Sequence, residues 1–309
     1  MKITIVVPVY YNEDNLVPLY RDIKEKVLDA IDYEYEIILV NDGSRDRSYE
    51  VMQQLAKEDS NIVNISLSRN FGMHSAILCG LSKATGDCAV VKMADLQEPT
   101  EMILEMVEAW KQGNNVVLAV REERLGKQSE KIFANLYYGM VRKFILKDMP
   151  KRGFDVYLLD RRVIDVLMKL DEKNSALTGQ ILWSGFRTTE VKYVRQEREI
   201  GNSKWTLKKK IRLVTDTLFS FTSLPIVVIN IIGVIAFLVG IIWSCTVVGM
   251  KIAGKIPIDG FATLMIFQLF SFAITMLTLG ILGNYLWRTF DASRNRPPYI
   301  IEDESRRES

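Results

Sequence analysis

The sequence has 309 residues and carries 40 basic and 38 acidic side chains, which gives a formal net charge of +2. This length is enough for one sizeable α/β domain and a smaller unit. The nearly balanced charge excludes a strongly basic nucleic-acid-binding protein and an acidic tail protein, so no nucleic-acid partner is expected. Cys79, Cys88 and Cys245 lack metal-ligand spacing and are expected to be reduced.

The first part of the chain, residues 1–200, alternates apolar β-branched runs with amphipathic stretches. The runs predict strands at Ile3–Val9, Glu36–Asn41, Ile62–Ser68, Cys88–Ala94 and Val116–Val120. The stretches predict helices at Glu13–Ala30, Arg47–Glu58, His74–Ala84 and Glu101–Lys111. This order predicts a mainly parallel sheet covered on both faces. Because such sheets bind ligands beyond the carboxyl ends of their strands, functional residues should follow the apolar runs.

The later part of this region is predicted to be more mixed. The pattern indicates a helix at Ser129–Leu146, a segment at Asp155–Arg161, a helix ending near Gly185 and a strand at Thr189–Arg195. Lys204, Lys208, Lys209, Lys210 and Arg212 then precede apolar residues, which is typical of a helix lying among lipid headgroups or of a simple cytoplasmic flank.

Two long segments, Thr217–Met250 and Gly260–Trp287, contain no charged residue. Each exceeds the roughly 20 residues that a helix needs to cross a bilayer. We interpret them as transmembrane helices at Pro225–Val248 and Phe261–Trp287, which the short connector Lys251–Asp259 would join as an antiparallel hairpin. The alternative is a pair of buried core helices.

Basic residues flank this hairpin more heavily than they populate its connector, which predicts that both termini are cytoplasmic and that the connector is outside. The expected domains are a cytoplasmic α/β domain at 1–200, a basic amphipathic juxtamembrane segment at 201–224, two transmembrane helices at 225–288 and a cytoplasmic tail at 289–309. The protein is therefore expected to be a multi-pass protein of the plasma membrane, called the inner membrane in cells that also have an outer one. It is expected to contact membrane lipid.

Polar residues follow the predicted strands. Asp42 comes directly after the second run and can accept hydrogen bonds from a base or ribose, although Asp-Gly-Ser alone is most often a turn. Arg69 follows the third run and can meet a phosphate. The single histidine, His74, is expected to be a hydrogen-bonded structural residue.

The fourth run is followed by Asp95 and Gln97. These oxygen donors predict a site for Mg²⁺ or Mn²⁺ that would neutralise a diphosphate, with water and the diphosphate completing the coordination.

Together these motifs resemble glycosyltransferase family two. The matching segments, in order, are Pro8-Val9-Tyr10-Tyr11-Asn12-Glu13, Asn41-Asp42-Gly43-Ser44, Arg69-Asn70-Phe71-Gly72 and Ala94-Asp95-Leu96-Gln97. More narrowly, the chain is similar to the polyisoprenyl-phosphate glycosyltransferases, the group of dolichol-phosphate mannosyltransferase and bactoprenol glucosyltransferase. The paired helices and the Arg296-Pro297-Pro298-Tyr299 tail also fit the bactoprenol branch, so the resemblance covers nearly the whole chain.

The resemblance implies a GT-A fold and an inverting single displacement from a nucleotide sugar to a polyisoprenyl phosphate, with UDP-glucose and undecaprenyl phosphate as the expected pair. It implies that Asp155 is the catalytic carboxylate. The donor residues would be Pro8, Tyr10, Glu13, Asp42, Arg69 and Asp95, and the acceptor-phosphate residues would be Arg195, Arg198, Ser203 and Lys204. That basic cluster can equally be a headgroup anchor.

One position departs from the family pattern. The usual Asp-x-Asp reads Met93-Ala94-Asp95 here, and a thioether binds a hard cation poorly. A non-catalytic nucleotide-sugar-binding scaffold therefore stands as one alternative. The other is a processive polysaccharide synthase of the same superfamily, although the chain lacks the Gln-x-x-Arg-Trp motif and the additional membrane helices typical of those enzymes. A separate flippase is expected to move the product, because two helices without central ionisable residues offer no pathway, and a homo-oligomer is possible.

Overall fold

The computed structural model describes residues 1–122, 138–143, 146–170, 176–195, 222, 224–254 and 260–305. The chain forms two compact units. Unit 1 combines Met1–Val214 with Pro297–Ser309, and unit 2 is Thr215–Arg296.

Unit 1 is built on a sheet of eight described strands. They are β1 Lys2–Val9, β2 Glu34–Asn41, β3 Ile62–Leu67, β4 Cys88–Val91, β5 Val116–Arg121, β6 Val156–Asp160, β7 Thr188–Tyr193 and β8 Ile301–Ser305. Their order in the sheet is β7-β5-β6-β4-β1-β2-β3-β8. Strands β1 to β4 are parallel where they pair, and β7 is parallel to β5, whereas β6 and β8 run antiparallel to their neighbours. The sheet is therefore mixed rather than simply parallel.

Helices cover both faces of this sheet. They are α1 Leu16–Lys26, α2 Ser48–Glu58, α3 Met73–Lys83, α4 Met102–Lys111, α5 Arg161–Leu167 and α6 Leu177–Trp183, with a 3₁₀ turn at Leu28–Ala30. Alternate strand residues face opposite sides. Val6 and Ile38 therefore join one buried apolar cluster, and Ile5 and Ile37 join the other. Burial on both faces explains why the inner strands read as continuous apolar runs.

The predicted elements are confirmed with small shifts at their ends. The first predicted helix, Glu13–Ala30, begins only at Leu16 and breaks at Val27, and the predicted strand Cys88–Ala94 ends at Val91. The predicted helix Ser129–Leu146 lies mostly outside the described residues. Within that range, residues 138–143 are described and are helical. The late strand runs Thr188–Tyr193 rather than Thr189–Arg195.

Unit 2 contains two long helices, α7 Leu224–Ile252 and α8 Phe261–Ser293. The windows Pro225–Trp243 and Phe270–Ser293 are long and apolar enough to cross a bilayer, with mean hydropathies of 2.9 and 1.4. None of either window is buried inside the protein, which contradicts the alternative of two core helices. Their outward apolar surface is that of helices associated with a membrane.

Strand β8 is a finding that the sequence pattern does not predict. Its residues, Ile301-Glu302-Asp303-Glu304-Ser305, contain three carboxylates and a single apolar side chain. It nevertheless pairs antiparallel with β3 and forms one edge of the sheet. Charged side chains are common on edge strands, because they discourage further strand pairing.

Candidate active site

The candidate site lies along the edge where the parallel strands end. Strands β1 to β5 and β7 end there, and the antiparallel strand β6 begins there. Residues that follow β1 to β5 and β7 therefore lie at the same sheet edge as Asp155, which directly precedes β6. This explains how residues distant in sequence reach one edge.

At the β2 end, Asp42 holds the loop that follows β3. Its carboxylate accepts hydrogen bonds from the backbone N–H groups of Phe71 at 2.7 Å and Gly72 at 3.0 Å, and the residue is 3% exposed. Burial raises the pKa of the Asp42 carboxyl, although the two N–H donors oppose the shift. Asp42 thus lies beneath the loop, and its direct contact with a nucleotide stays a prediction.

Gly43 is the residue that lets this loop approach so closely. It has a φ of +66°, in the left-handed region. A Cβ atom there would lie 2.4 Å from the carbonyl carbon of Arg69 and 2.6 Å from the amide nitrogen of Asn70. Glycine is therefore required for backbone contact as well as for its φ.

Hydrogen bonds from backbone N–H groups to side chains also join the β1 end to the β2 end. The Tyr11 N–H donates to Ser44 Oγ at 3.0 Å, and the Asn12 N–H donates to Ser48 Oγ at 3.0 Å. Glu13 accepts from the Arg47 backbone N–H at 2.8 Å, just before α2 begins. The predicted donor residue Glu13 thus fixes loop geometry.

The other predicted donor residues lie around the same loops. Pro8 and Tyr10 are half-buried, and the Tyr10 ring meets Tyr11 edge-on with centroids 4.6 Å apart. Arg69 is exposed, and its guanidinium lies 4.1 Å from the centroid of the Phe71 ring. An exposed guanidinium on a loop is available to a phosphate.

At the β4 end, a buried ion pair closes the loop that carries the predicted metal ligands. Lys92 is fully buried, and its Nζ donates to the Glu98 carbonyl at 2.7 Å and lies 3.7 Å from Glu98 Oε2. Burial lowers the pKa of Lys92 and raises that of Glu98. The loop between them includes Leu96 with a φ of +56°.

Arg195, predicted for the acceptor phosphate, lies beside the predicted metal ligands. Its guanidinium donates to Gln97 Oε1 and lies 3.8 Å from Asp95 Oδ2. Arg198, Ser203 and Lys204, predicted to act with it, lie outside the described residues.

Asp155 forms an ion pair with Arg121, the last residue of β5. The Asp155 side chain is 46% exposed, whereas the Arg121 side chain is 13% exposed. Arg121 Nε also donates to the Tyr193 hydroxyl at 3.1 Å. The pair therefore joins the ends of β5, β6 and β7.

Residues 4–166 match the family model described as Glycosyl transferase family 2, which is more than half of the chain. The chain belongs to glycosyl transferase family 2. Family 2 membership confirms the expected enzyme class and, with the mixed α/β sheet, the expected GT-A fold.

Similar family 2 proteins extend over nearly the whole chain. The glycosyltransferase YkcC of Bacillus subtilis is 38% identical, with 97% of this chain and 93% of that protein covered. The bactoprenol glucosyl transferase of Shigella phage SfV is 32% identical, with 99% and 100% covered. The prophage bactoprenol glucosyl transferase homolog of Escherichia coli K12 is 33% identical, with 98% and 99% covered.

A solved structure, mannosyl-3-phosphoglycerate synthase from Rubrobacter xylanophilus, matches with a TM-score of 0.48 and 16% identity. The match covers 70% of this chain and 71% of that structure.

The described residues offer few candidate metal ligands. Among the described residues, no three His, Cys, Asp or Glu side chains form a metal-binding group. Asp95 and Gln97 still place a carboxylate and an amide oxygen on one short loop, and Arg195 already shares that amide oxygen. This donor set fits a hard cation that takes most of its ligands from water and a diphosphate.

Sequence reasoning missed Arg121, Lys92 and Glu98. Arg121 could have been found, since it directly follows the predicted strand Val116–Val120 as the other site residues follow theirs. Lys92 gave no such signal, because one lysine near a strand end usually reaches solvent. His74, expected to be structural, accepts a hydrogen bond at Nδ1 from the Leu177 backbone N–H at 3.2 Å.

Proposed function

We propose that this enzyme transfers a single sugar from a nucleotide sugar, UDP-glucose, to undecaprenyl phosphate, a polyisoprenyl phosphate, with inversion. The observation that carries the proposal is that Arg195 contacts Asp95 and Gln97 at the same sheet edge that holds the Asp155–Arg121 pair. The names of similar proteins from the SfV phage and from Escherichia coli supply the lipid and the sugar.

On the donor side, the leaving group is a nucleoside diphosphate whose charge grows as the glycosidic bond breaks. Asp95 and Gln97 would hold Mg²⁺ or Mn²⁺, and this cation supplies electrostatic stabilisation of the leaving diphosphate. Pro8, Tyr10, Glu13, Asp42 and Arg69 line or support the loops proposed to bind the nucleotide.

On the acceptor side, a phosphate monoester is already an anion near neutral pH and needs little deprotonation. We assign Asp155 to orient the acceptor or take a residual proton. Arg121 holds the Asp155 carboxylate in place through their ion pair. Because Arg195 lies 3.8 Å from Asp95, an acceptor phosphate bound by Arg195 would be close to the leaving diphosphate, as a single displacement requires. Arg198, Ser203 and Lys204 are proposed to complete that phosphate site.

A cavity next to Arg121 has the mixed lining that an isoprenyl phosphate needs. Its apolar lining includes Leu118, Val120, Leu182 and Phe186. Its basic lining includes Arg142, Lys147, Lys151, Arg152 and Lys192. Guanidinium and ammonium groups match phosphate oxygens, and the apolar side chains match a hydrocarbon chain.

The long apolar helices give the reaction its location. We propose that residues 225–288 cross the membrane as a hairpin and that residues 1–200, the segment 201–224 and the tail 289–309 are cytoplasmic. Sugar transfer would then occur at the cytoplasmic face, where the donor is made, and a separate flippase would move the product.

The test is a transfer assay with purified protein in lipid nanodiscs. The protein is mixed with labelled UDP-glucose, undecaprenyl phosphate and Mg²⁺, and a panel of other UDP- and GDP-sugars is run in parallel. One sugar on the lipid, formed fastest from UDP-glucose, is the expected product. A polymer would favour a processive synthase, and donor binding without transfer would favour a non-catalytic scaffold.

A further inference from the structure

The residues after α8 return to the sheet of unit 1. We define the C-terminal tail as Pro297–Ser305, which includes β8. Its backbone pairs Asn64 with Ser305, Ile65 with Glu304 and Ser66 with Asp303, and after an irregularity Leu67 with Ile301. This pairing covers an edge of β3 that would otherwise leave backbone groups open to solvent.

Pairing continues to the first residue of the loop proposed to bind the donor. The Ser68 backbone N–H donates to the Ile300 carbonyl at 3.0 Å, and Arg69 follows immediately. The same loop ends at Gly72, whose N–H donates to the Asp42 carboxylate at 3.0 Å. The loop is therefore fixed at its start by the tail and at its end by Asp42.

Side chains of the C-terminal tail also bind the helices on either side of β3. The Tyr299 hydroxyl and Ser82 Oγ of α3 are 2.9 Å apart, and Glu304 forms an ion pair with Lys83 of the same helix. The Tyr49 hydroxyl of α2 donates to Asp303 at 2.6 Å. The α3 contacts lie at the end of that helix farther from the loop, so these side chains fix the tail to the two helices beside β3.

Apolar packing adds to these polar contacts. The rings of Tyr299 and Phe71 and the side chain of Ile301 all pack against one buried apolar cluster that contains Ile65 and Leu67. Phe71 belongs to the loop, and the other two belong to the tail. Loop and tail are thus both anchored on the same apolar cluster, and such packing favours order in each.

We propose that the C-terminal tail is a positioning element of the donor site, which sets the Ser68–Gly72 loop for nucleotide binding. This inference rests on the proposed function for its ligand. The described tail contacts the start of this loop at Ser68, so its loss should act on donor binding rather than on acceptor binding.

The test compares the full chain with a chain ending at Arg296. Hydrogen exchange of the amides at 68–72 should become at least about tenfold faster in the shortened chain, whereas the β1 amides should be unchanged. The Kd of UDP with Mg²⁺ should rise at least about tenfold, which corresponds to about 1.4 kcal/mol. The KM for donor should rise, with the KM for undecaprenyl phosphate unchanged.

Adding the missing segment back separates positioning from general damage. A synthetic peptide of residues 297–305 should restore the Kd of UDP to within about twofold of the full chain, and a peptide carrying Y299A and E304A should not. If the shortened chain fails to fold, Y299A in the full chain takes its place, with E302A as the control because Glu302 is an exposed residue of the same tail.

Unchanged exchange at 68–72 after removal of the tail, or of the Tyr299 ring, would overturn the inference. Faster exchange with an unchanged Kd of UDP would overturn it as well. Failure of the full chain to bind any nucleoside diphosphate would overturn the proposed function instead, and the exchange result would still decide whether the tail orders the loop.

Discussion

The two halves of the sheet edge hold their polar groups in different ways. At the ends of β1 to β3, side-chain oxygens accept hydrogen bonds from backbone N–H groups, as Asp42 does from Phe71 and Ser44 from Tyr11. At the ends of β4 to β7, charged side chains pair with each other, as Arg121 does with Asp155 and Lys92 with Glu98.

The β1 to β3 half therefore has loops of fixed shape, whereas the β4 to β7 half presents charged side chains with which ligands can interact. Backbone donors fix loop shape and cost no reorganisation when a ligand arrives. The partly exposed Arg121–Asp155 pair can exchange partners, so a diphosphate, a cation or an acceptor phosphate can take over part of its interaction, whereas the buried Lys92–Glu98 pair stabilises its loop. The β1 to β3 half should therefore control the metal-independent affinity for the nucleotide, and the β4 to β7 half should control turnover and the metal-dependent part of donor binding.

The largest expected effect is on turnover, from D155N. Loss of the carboxylate should lower kcat by about 10²–10⁴-fold, because it removes the group that orients or deprotonates the acceptor, and the Kd of UDP should not change. Single-turnover transfer and calorimetry measure the two quantities. D165N is the control, since Asp165 is an exposed carboxylate on α5. Normal turnover in D155N would remove Asp155 from the reaction.

The next largest effect is on stability, from K92M. It leaves the buried Glu98 carboxylate without its cation, and breaking one partner of a buried pair costs about 3–5 kcal/mol. The midpoint of thermal unfolding in detergent should fall accordingly. The double variant K92M/E98Q should recover much of the loss, because the buried charge is gone. Equal losses in the single and double variants would show that the pair does not carry the effect.

A moderate effect is expected from D95A on metal-dependent binding. The Kd of UDP with Mg²⁺ should rise about tenfold or more, since the carboxylate is the charged ligand proposed for the cation. In EDTA the variant and the unaltered protein should bind UDP equally. Equal affinity in the presence of Mg²⁺ would locate the cation elsewhere.

The smallest expected effect on UDP affinity is from G43A, which should weaken UDP binding less than D95A does and cost about 1–3 kcal/mol of stability. The new Cβ would overlap the Arg69–Asn70 peptide and push the donor loop away. G113A is the matched control, because Gly113 also has a positive φ, yet its Cβ would meet only Arg187 at 4.0 Å. UDP affinity equally unaffected in both variants would argue against a donor role for the loop.

Local pattern predicted the inner strands well because each is an apolar run buried on both faces. It also placed Asp95 near a strand end, whereas Asp155 was identified by the family resemblance and no strand was predicted at 156–160. The antiparallel direction of β6 was not predictable, since strand direction depends on pairing with β4 and β5 rather than on residue type.

The long-range partners of charged side chains could not be predicted from the sequence for a similar reason. Arg195 was expected with Arg198 and Lys204, its neighbours in sequence, yet it contacts Gln97, which is 98 residues away. Likewise, β8 looks like an acidic tail until β3 provides its partner. Contacts of this range are set by the packed fold and not by local periodicity.

The placement of β8 at the end of the chain has a consequence for biosynthesis. The ribosome makes seven of the eight described strands before α7, and the eighth only after α8. A nascent or prematurely terminated chain therefore exposes the outer edge of β3, and open edges invite pairing with other chains. The sheet of unit 1 is thus completed only after both hydrophobic helices have left the ribosome.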